Sequence, residues 1–215
     1  MSKQEFSVAV LGATGAVGEA LIEILEEREF PVSDLHLLAS ERSAGKRIQF
    51  RGKHLKVENV EEFDFSAVDI GLFSAGGSVS EKYAPVAAET GCVVIDNTSK
   101  FRYEDDIPLI VPEVNANRLV EYKNRNIIAN PNCSTSQLVI VLKPLHDLFT
   151  IKRIVVSTYQ SVSGGGKAPM DELIDQTKLV LDNKKVKSKN FTKQIAFNII
   201  PHIDVFSDDG YTKEE

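Results

Sequence analysis

Phe6-Ser7-Val8-Ala9-Val10-Leu11-Gly12-Ala13-Thr14-Gly15-Ala16-Val17-Gly18 is an apolar run that ends in three evenly spaced glycines. A short run this apolar, closed by Gly12, reads as a buried strand of a parallel sheet. Ala16 to Arg28 then places Val17, Leu21, Ile24 and Leu25 on one face and Glu19, Glu23, Glu26 and Glu27 elsewhere. That pattern predicts an amphipathic helix, ended by Pro31. Leu35 to Ala39 predicts a second strand, and strand, helix and strand within about 35 residues make a βαβ unit. Glycines at the strand–helix junction let a backbone approach a pyrophosphate, and the helix N-terminus offers free N–H groups. Gly12, Thr14, Gly15, Ala16, Val17 and Gly18 are therefore candidate cofactor-binding residues. The spacing is G-x-x-G-x-x-G rather than G-x-G-x-x-G, and packing turns use glycines too. The position in the first strand–helix turn favours the cofactor.

Working outward, the alternation continues. Ile48 to Phe50 and Leu55 to Val57 predict short strands around Arg51-Gly52-Lys53. Val68 to Phe73, Val93 to Ile95 and Ile127 to Ala129 predict further strands, and Val79 to Glu89 a helix. Alternation of this kind implies an α/β fold, a Rossmann-type doubly wound parallel sheet with helices on both faces. The character changes near residue 130. Ser134 to Phe149 predicts a long helix with Leu138, Val141, Leu142 and Leu145 on one side. Ile151 to Gln160 predicts a long strand, Ser163 to Gly166 a loop, and Met170 to Asn183 another amphipathic helix. Residues 208–215 read as the start of a helix that stops short. The expected division is a dinucleotide-binding domain at 1–129 and an incomplete α+β catalytic and dimerisation domain at 130–215.

The bulk properties narrow the function. The 215 residues suffice for one large α/β domain, or one domain and part of another. The net charge is -6 and no Lys/Arg stripe is present, so nucleic acid is not an expected partner. No apolar run approaches the roughly 18 residues of a membrane span. Two cysteines, Cys92 and Cys133, give no disulfide framework, and the N-terminus lacks a signal-peptide pattern; both point to the cytoplasm. His36, His54, His146 and His202 lack ligand spacing, so no metal is expected.

Several residues carry chemistry. Ser40-Glu41-Arg42-Ser43 closes the second predicted strand, where a dinucleotide's adenosine ribose lies. Arg42 between Ser40 and Ser43 favours the 2′-phosphate of NADP, and Glu41 suits a solvated loop. Ser74-Ala75-Gly76-Gly77-Ser78 follows another strand: either Ser74, Ala75 and Gly76 meet the cofactor, or Ser78 caps the next helix. Cys133, in Asn130-Pro131-Asn132-Cys133-Ser134, starts the long helix, where the helix dipole favours a thiolate nucleophile and free N–H groups can hold an oxyanion. Cys92 lies in an apolar strand and reads as core. Arg102 has the right chemistry for a phosphate and Gln160 for an acyl oxygen, although pattern alone nominates neither and a surface role is the default for both.

These stretches, GATGAVG at 12–18, ASERSAG at 39–45, SAGGSVS at 74–80, DNTSKFR at 96–102, VPEVN at 111–115, NPNCSTSQL at 130–138 and YQSVSGGGK at 159–167, together resemble aspartate-β-semialdehyde dehydrogenases. The resemblance implies NADPH-dependent reductive dephosphorylation of L-aspartyl-4-phosphate, within lysine, methionine, threonine and diaminopimelate synthesis. It implies that Cys133 forms the acyl-enzyme with Asn132 beside it, that Arg102 binds the phosphate and that Gln160 orients the substrate. It further implies that Ser163 and Gly164 meet the nicotinamide half of NADP, that Glu214 binds substrate, and that the full-length protein is a homodimer. Lys100 stands where the family often has a small residue. The family's catalytic His, carboxylate-binding Arg and phosphate-binding Lys have no match, so the 215 residues alone are expected to be inactive. The alternatives are N-acetyl-γ-glutamyl-phosphate reductase, whose cysteine segment reads more like Asn-Pro-Gly-Cys, and a non-catalytic NADP-binding module.

Overall fold

The computed structural model describes residues 5–212. The chain forms two compact units, the first running to Thr158 and the second beginning at Tyr159. Seven strands build one sheet in the first unit: β1 (Phe6–Leu11), β2 (Val32–Ala39), β3 (Arg47–Phe50), β4 (Lys53–Asn59), β5 (Ile70–Phe73), β6 (Val93–Asp96) and β7 (Ile127–Ala129). Their spatial order is β3-β4-β2-β1-β5-β6-β7. Every pairing is parallel except the β3–β4 hairpin. Arg51 and Gly52 turn that hairpin with φ of 47° and 75°, the two left-handed residues that a tight two-residue turn needs. The sheet is thus the doubly wound Rossmann arrangement expected from the alternation.

Helix α1 (Ala16–Glu27) and helix α2 (Gly77–Glu89) follow β1 and β5. Adjacent side chains of β1 point to opposite faces and serve two separate cores. Val8 and Val10 pack with Ile22 and Leu25 of α1, whereas Ala9 and Leu11 pack with Phe73 and with Ala84 and Ala87 of α2. Burying each Val or Leu here contributes about 1.5–3 kcal/mol, so β1 is the spine of the unit. The face of α1 differs from the expected one. Gly18, Ile22 and Leu25 are buried, while Val17 and Ile24 are each 45% exposed. The cause is Gly18, whose Cβ would lie 2.1 Å from the Gly12 carbonyl oxygen. That close approach turns the helix so that Val17 and Ile24 leave the core.

The outer side of β7 is covered. Segment 108–110 bridges to it at Leu109 and Ala129, with Ile110 N–H donating to Ala129 and Ala129 N–H donating to Pro108. The short helix α3 (Pro112–Asn115) follows this clip. Helix α4 (Cys133–Phe149) then leaves β7. Leu138 and Leu142 are half-buried as expected, but Val141 and Leu145 are exposed, because no described residue covers that side.

Three further expectations differ. Residues 151–160 form no strand: the alternation is present, but a ladder requires a partner and no described segment supplies one. Ser78 does not cap α2, whose N-cap is Gly76 at φ 98°. In the second unit, residues 206–212 form a turn closed by a Phe206–Thr212 bridge rather than the start of a helix. Asp209 accepts from the Tyr211 N–H there, and Gly210 takes φ 87°, which favours the turn. The second unit also holds helix α5 (Lys167–Leu181). Its buried Glu172 and Gln176 accept backbone N–H groups of Lys189 and Asn190, and of Ile195 and Ala196, tying segment 189–196 to the helix. No described helix is long and apolar enough to cross a membrane.

Candidate functional site

In a parallel sheet, the loops that follow the carboxyl ends of the strands gather on one rim. That rim carries residues 12–15 after β1, 40–43 after β2, 74–76 after β5, 97–102 after β6 and 130–133 after β7. The chain reverses its direction of strand addition at β1, which has β2 on one side and β5 on the other. Ligands of open α/β sheets lie in the crevice at such a point.

The glycine loop is built for close approach. Gly12 has φ 94°, and a Cβ on it would lie 2.9 Å from Ser74 Oγ and 3.0 Å from the Ala75 N. Ser74 N–H and Oγ both donate to the Leu11 carbonyl, joining the loop after β5 to the end of β1. The N-cap of α1 is Gly15, with no side-chain acceptor, so the first-turn N–H groups of Ala16, Val17 and Gly18 remain available to an anion. Thr14 lies half-buried in the same loop. Ser40 and Arg42 are exposed and Ser43 is half-buried, on a single 3-10 turn after β2. These residues fit a dinucleotide: glycines where a Cβ would fill the cradle, a helix N-terminus, and a guanidinium at the ribose end.

Cys133 is exposed and is the first residue of α4. Asn132 is the N-cap, and its Oδ1 accepts the Thr135 N–H at 2.8 Å. The N–H groups of Cys133 and Ser134 are first-turn groups with no intrahelical acceptor, which suits them to an oxyanion. Cys92 is fully buried, and burial followed by the charge of Asp69 pushes its thiol up to about 12. Exposure thus separates the two cysteines as the sequence suggests.

Arg102 is held against the cysteine loop. Its Nε donates to the Asn130 carbonyl at 2.9 Å and its Nη2 to the Asn97 carbonyl at 3.3 Å. Asn130 Nδ2 donates to Asn97 Oδ1, closing the brace. Pattern alone gave no reason to prefer this role over a surface one. Nor did it single out Asp96, Ser80 and Thr98, which form a buried cluster beneath the brace. An acid ending an otherwise apolar strand, with Thr two residues on, was the available signal. Lys100 also gains an explanation: its Nζ lies 2.8 Å from Glu81 Oε1, joining the 97–102 loop to α2. That hydrogen bond holds the Lys100 amine above its ordinary value.

The second unit holds Gln160, Ser163 and Gly164. All three are exposed, and a Cβ on Gly164 would fall 2.2 Å from Gln160 Nε2, so the glycine makes room for that amide. Ser163 Oγ donates to Ser161 Oγ. Glu214 lies outside the described residues. Among the described residues no group of His, Cys, Asp and Glu is arranged to hold a metal.

The sequence matches two family models, one described as semialdehyde dehydrogenase, NAD binding domain, over residues 7–122, and one as semialdehyde dehydrogenase, dimerisation domain, over residues 142–215. Aspartate-semialdehyde dehydrogenase 2 of Vibrio cholerae is 62% identical over 212 residues, which are 99% of this chain and 63% of that protein. A crystal structure of aspartate semialdehyde dehydrogenase II from Vibrio cholerae, complexed with ASA, superposes with a TM-score of 0.97 over 99% of this chain and 63% of that one. Aspartate semialdehyde dehydrogenase with NADP from Candida albicans, 29% identical, gives a TM-score of 0.55 over 69% of this chain and 48% of that one. The chain therefore spans about 63% of the length of the Vibrio cholerae relative.

Proposed function

Because the chain belongs to the aspartate-semialdehyde dehydrogenase family, we propose that the natural protein reduces L-aspartyl-4-phosphate to L-aspartate-4-semialdehyde through a thioester on Cys133. The carrying observation is Cys133 itself, exposed at the first residue of α4 on the rim that bears the glycine loop. In this reading its thiolate attacks the acyl carbon, the C–S bond forms, and phosphate leaves with the C–O bond. The N–H groups of Cys133 and Ser134 hold the oxyanion, and Arg102 Nη1 receives the phosphate. Reduced nicotinamide cofactor, when bound, supplies the hydride to the acyl carbon. The C–S bond then breaks, which releases the aldehyde and restores the thiolate. Asn132 keeps the start of α4 in place, and Gln160 orients the substrate.

NADP rather than NAD is supported by Arg42 between Ser40 and Ser43, and by the Candida albicans enzyme solved with NADP. We place Gly12, Thr14, Gly15, Ala16, Val17, Gly18, Ser74, Ala75 and Gly76 along the cofactor, with Ser163 and Gly164 at its nicotinamide half and Glu214 at the substrate. The reaction belongs to lysine, methionine, threonine and diaminopimelate synthesis in this reading. A cytoplasmic homodimer completes it, and the match to a dimerisation-domain model supports the dimer. The deciding experiment is Cys133→Ser in the natural protein at its full length. Phosphate-dependent oxidation of the semialdehyde is expected to vanish; near-parental activity would overturn the assignment.

A further inference from the structure

Asp96 ends β6 and is fully buried, where a carboxylate is costly unless it is well hydrogen-bonded. Three donors hold it: Ser80 Oγ at 2.6 Å, Thr98 Oγ1 at 2.7 Å and the Thr98 N–H at 3.3 Å. Ser80 belongs to α2 and lies one turn from its N-cap, with its N–H donating to the Gly76 carbonyl. Thr98 belongs to the loop that ends in Arg102. One carboxylate thereby joins the helix rising from the cofactor rim to the loop that carries the guanidinium.

The chemistry explains why an acid is there. An ionised carboxylate only accepts, so both hydroxyls must donate to it. The Thr98 hydroxyl, fixed as a donor, then presents its lone pairs to the Lys100 N–H at 3.3 Å. That orders the turn leading to Arg102, whose Nε and Nη2 are spent on the Asn130 and Asn97 carbonyls. Among the described residues Nη1 has no partner and is the group left for an anion. We propose that Asp96, acting through Ser80 and Thr98, is a positioning residue that aims Arg102 at the phosphate of the acyl substrate beside Cys133. The proposal rests on the reaction given above and assigns it a support that neither touches substrate nor reacts.

The test uses the natural protein at full length, with inorganic phosphate as the probe in the oxidation of the semialdehyde. Thr98→Val keeps the volume and removes the hydroxyl; Thr98→Ser restores it. Thr98→Val is expected to raise the KM for phosphate about tenfold, the size of one lost charge-assisted hydrogen bond, and to leave the KM for NADP unchanged. Thr98→Ser is expected to return the phosphate KM to within about twofold of the parent. Should Thr98→Val fail to fold, Ser80→Ala serves, with the same split expected. An unchanged phosphate KM, or equal rises for phosphate and NADP, would overturn the positioning role. A parent that shows no phosphate-dependent oxidation refutes the reaction itself and the positioning role with it. A dead Cys133→Ser beside a normal Thr98→Val leaves the reaction standing and removes only the role of Asp96.

Discussion

Gly18→Ala is the substitution for which the structure gives the sharpest number. The new Cβ would lie 2.1 Å from the Gly12 oxygen, 2.7 Å from the Gly12 carbonyl carbon and 2.8 Å from the Ala13 Cα. Ordinary contact begins near 3.4 Å, so α1 must withdraw by about 1.3 Å, and all three obstacles are backbone that cannot rotate away. Overpacking of this kind costs about 1–3 kcal/mol, and the gain from Ala over Gly in a helix offsets at most about 1 kcal/mol. A net loss of about 1–2 kcal/mol is expected, or about 2–4 °C in the melting midpoint per kcal/mol. Withdrawal also carries the first-turn N–H groups away from the place proposed for the pyrophosphate, so NADP binding is expected to weaken at least about tenfold. Gly15→Ala is the control: at φ -94° it meets only the Gly12 oxygen at 3.3 Å, so the fold should persist within about 0.5 kcal/mol while NADP binding falls. Circular dichroism in urea gives the first quantity and calorimetric titration with NADP the second. Equal urea midpoints for the parent and Gly18→Ala would refute the packing argument.

Four other outcomes follow from the same coordinates. Iodoacetamide at pH 8 should label Cys133 quickly and leave Cys92 untouched until the protein unfolds, read by peptide mass; comparable labelling of both would sink the distinction. Cys92 titrates higher folded than unfolded, so the folded state holds the extra proton and stability should decline as pH rises from about 9 towards 12. Denaturant midpoints across that range, flattened by Cys92→Ala, check it. Burial opposes the Glu172 charge, but four donors, from Lys189, Asn190 and Gln176, outweigh it and hold the carboxyl below its ordinary 4.5. Its contribution is complete above that value and is lost as pH falls through the lower folded one, so the Lys189 and Asn190 amides should lose hydrogen-exchange protection in acid. Finally, Arg102→Lys, which cannot donate to two carbonyls in a fork, should raise the phosphate KM at least about tenfold.

The sheet was largely legible because each buried parallel strand is a short apolar run closed by glycine, serine or asparagine. Phe6–Leu11 and Ile127–Ala129 matched residue for residue. What depended on partners was not. The alternation of 151–160 describes a strand only if an edge is offered, and the apolar side of α4 only if something covers it. The face of α1 was misplaced because its rotation is set by the backbone contact at Gly18 rather than by its own hydrophobic spacing. At the candidate site, Cys133 and the glycine loop are singled out by residue type and position alone. Asp96, Ser80 and Thr98 are not, since their significance lies in hydrogen bonds between an acid ending one strand and a serine 16 residues before it.

The clip of residues 108–110 over β7 has a bearing on assembly. A parallel sheet with a bare border invites another chain to add a strand, which leads to swapped or fibrous aggregates. Here the β7 border is already occupied, and on the outer edge of the clip the Asn115 amide accepts the Val111 N–H and donates to the Leu109 carbonyl, two groups a newcomer would use. A second subunit therefore cannot join by continuing the sheet past β7. Strand addition is closed at this border, so the rim that carries Cys133 is spared a competitor along its last strand.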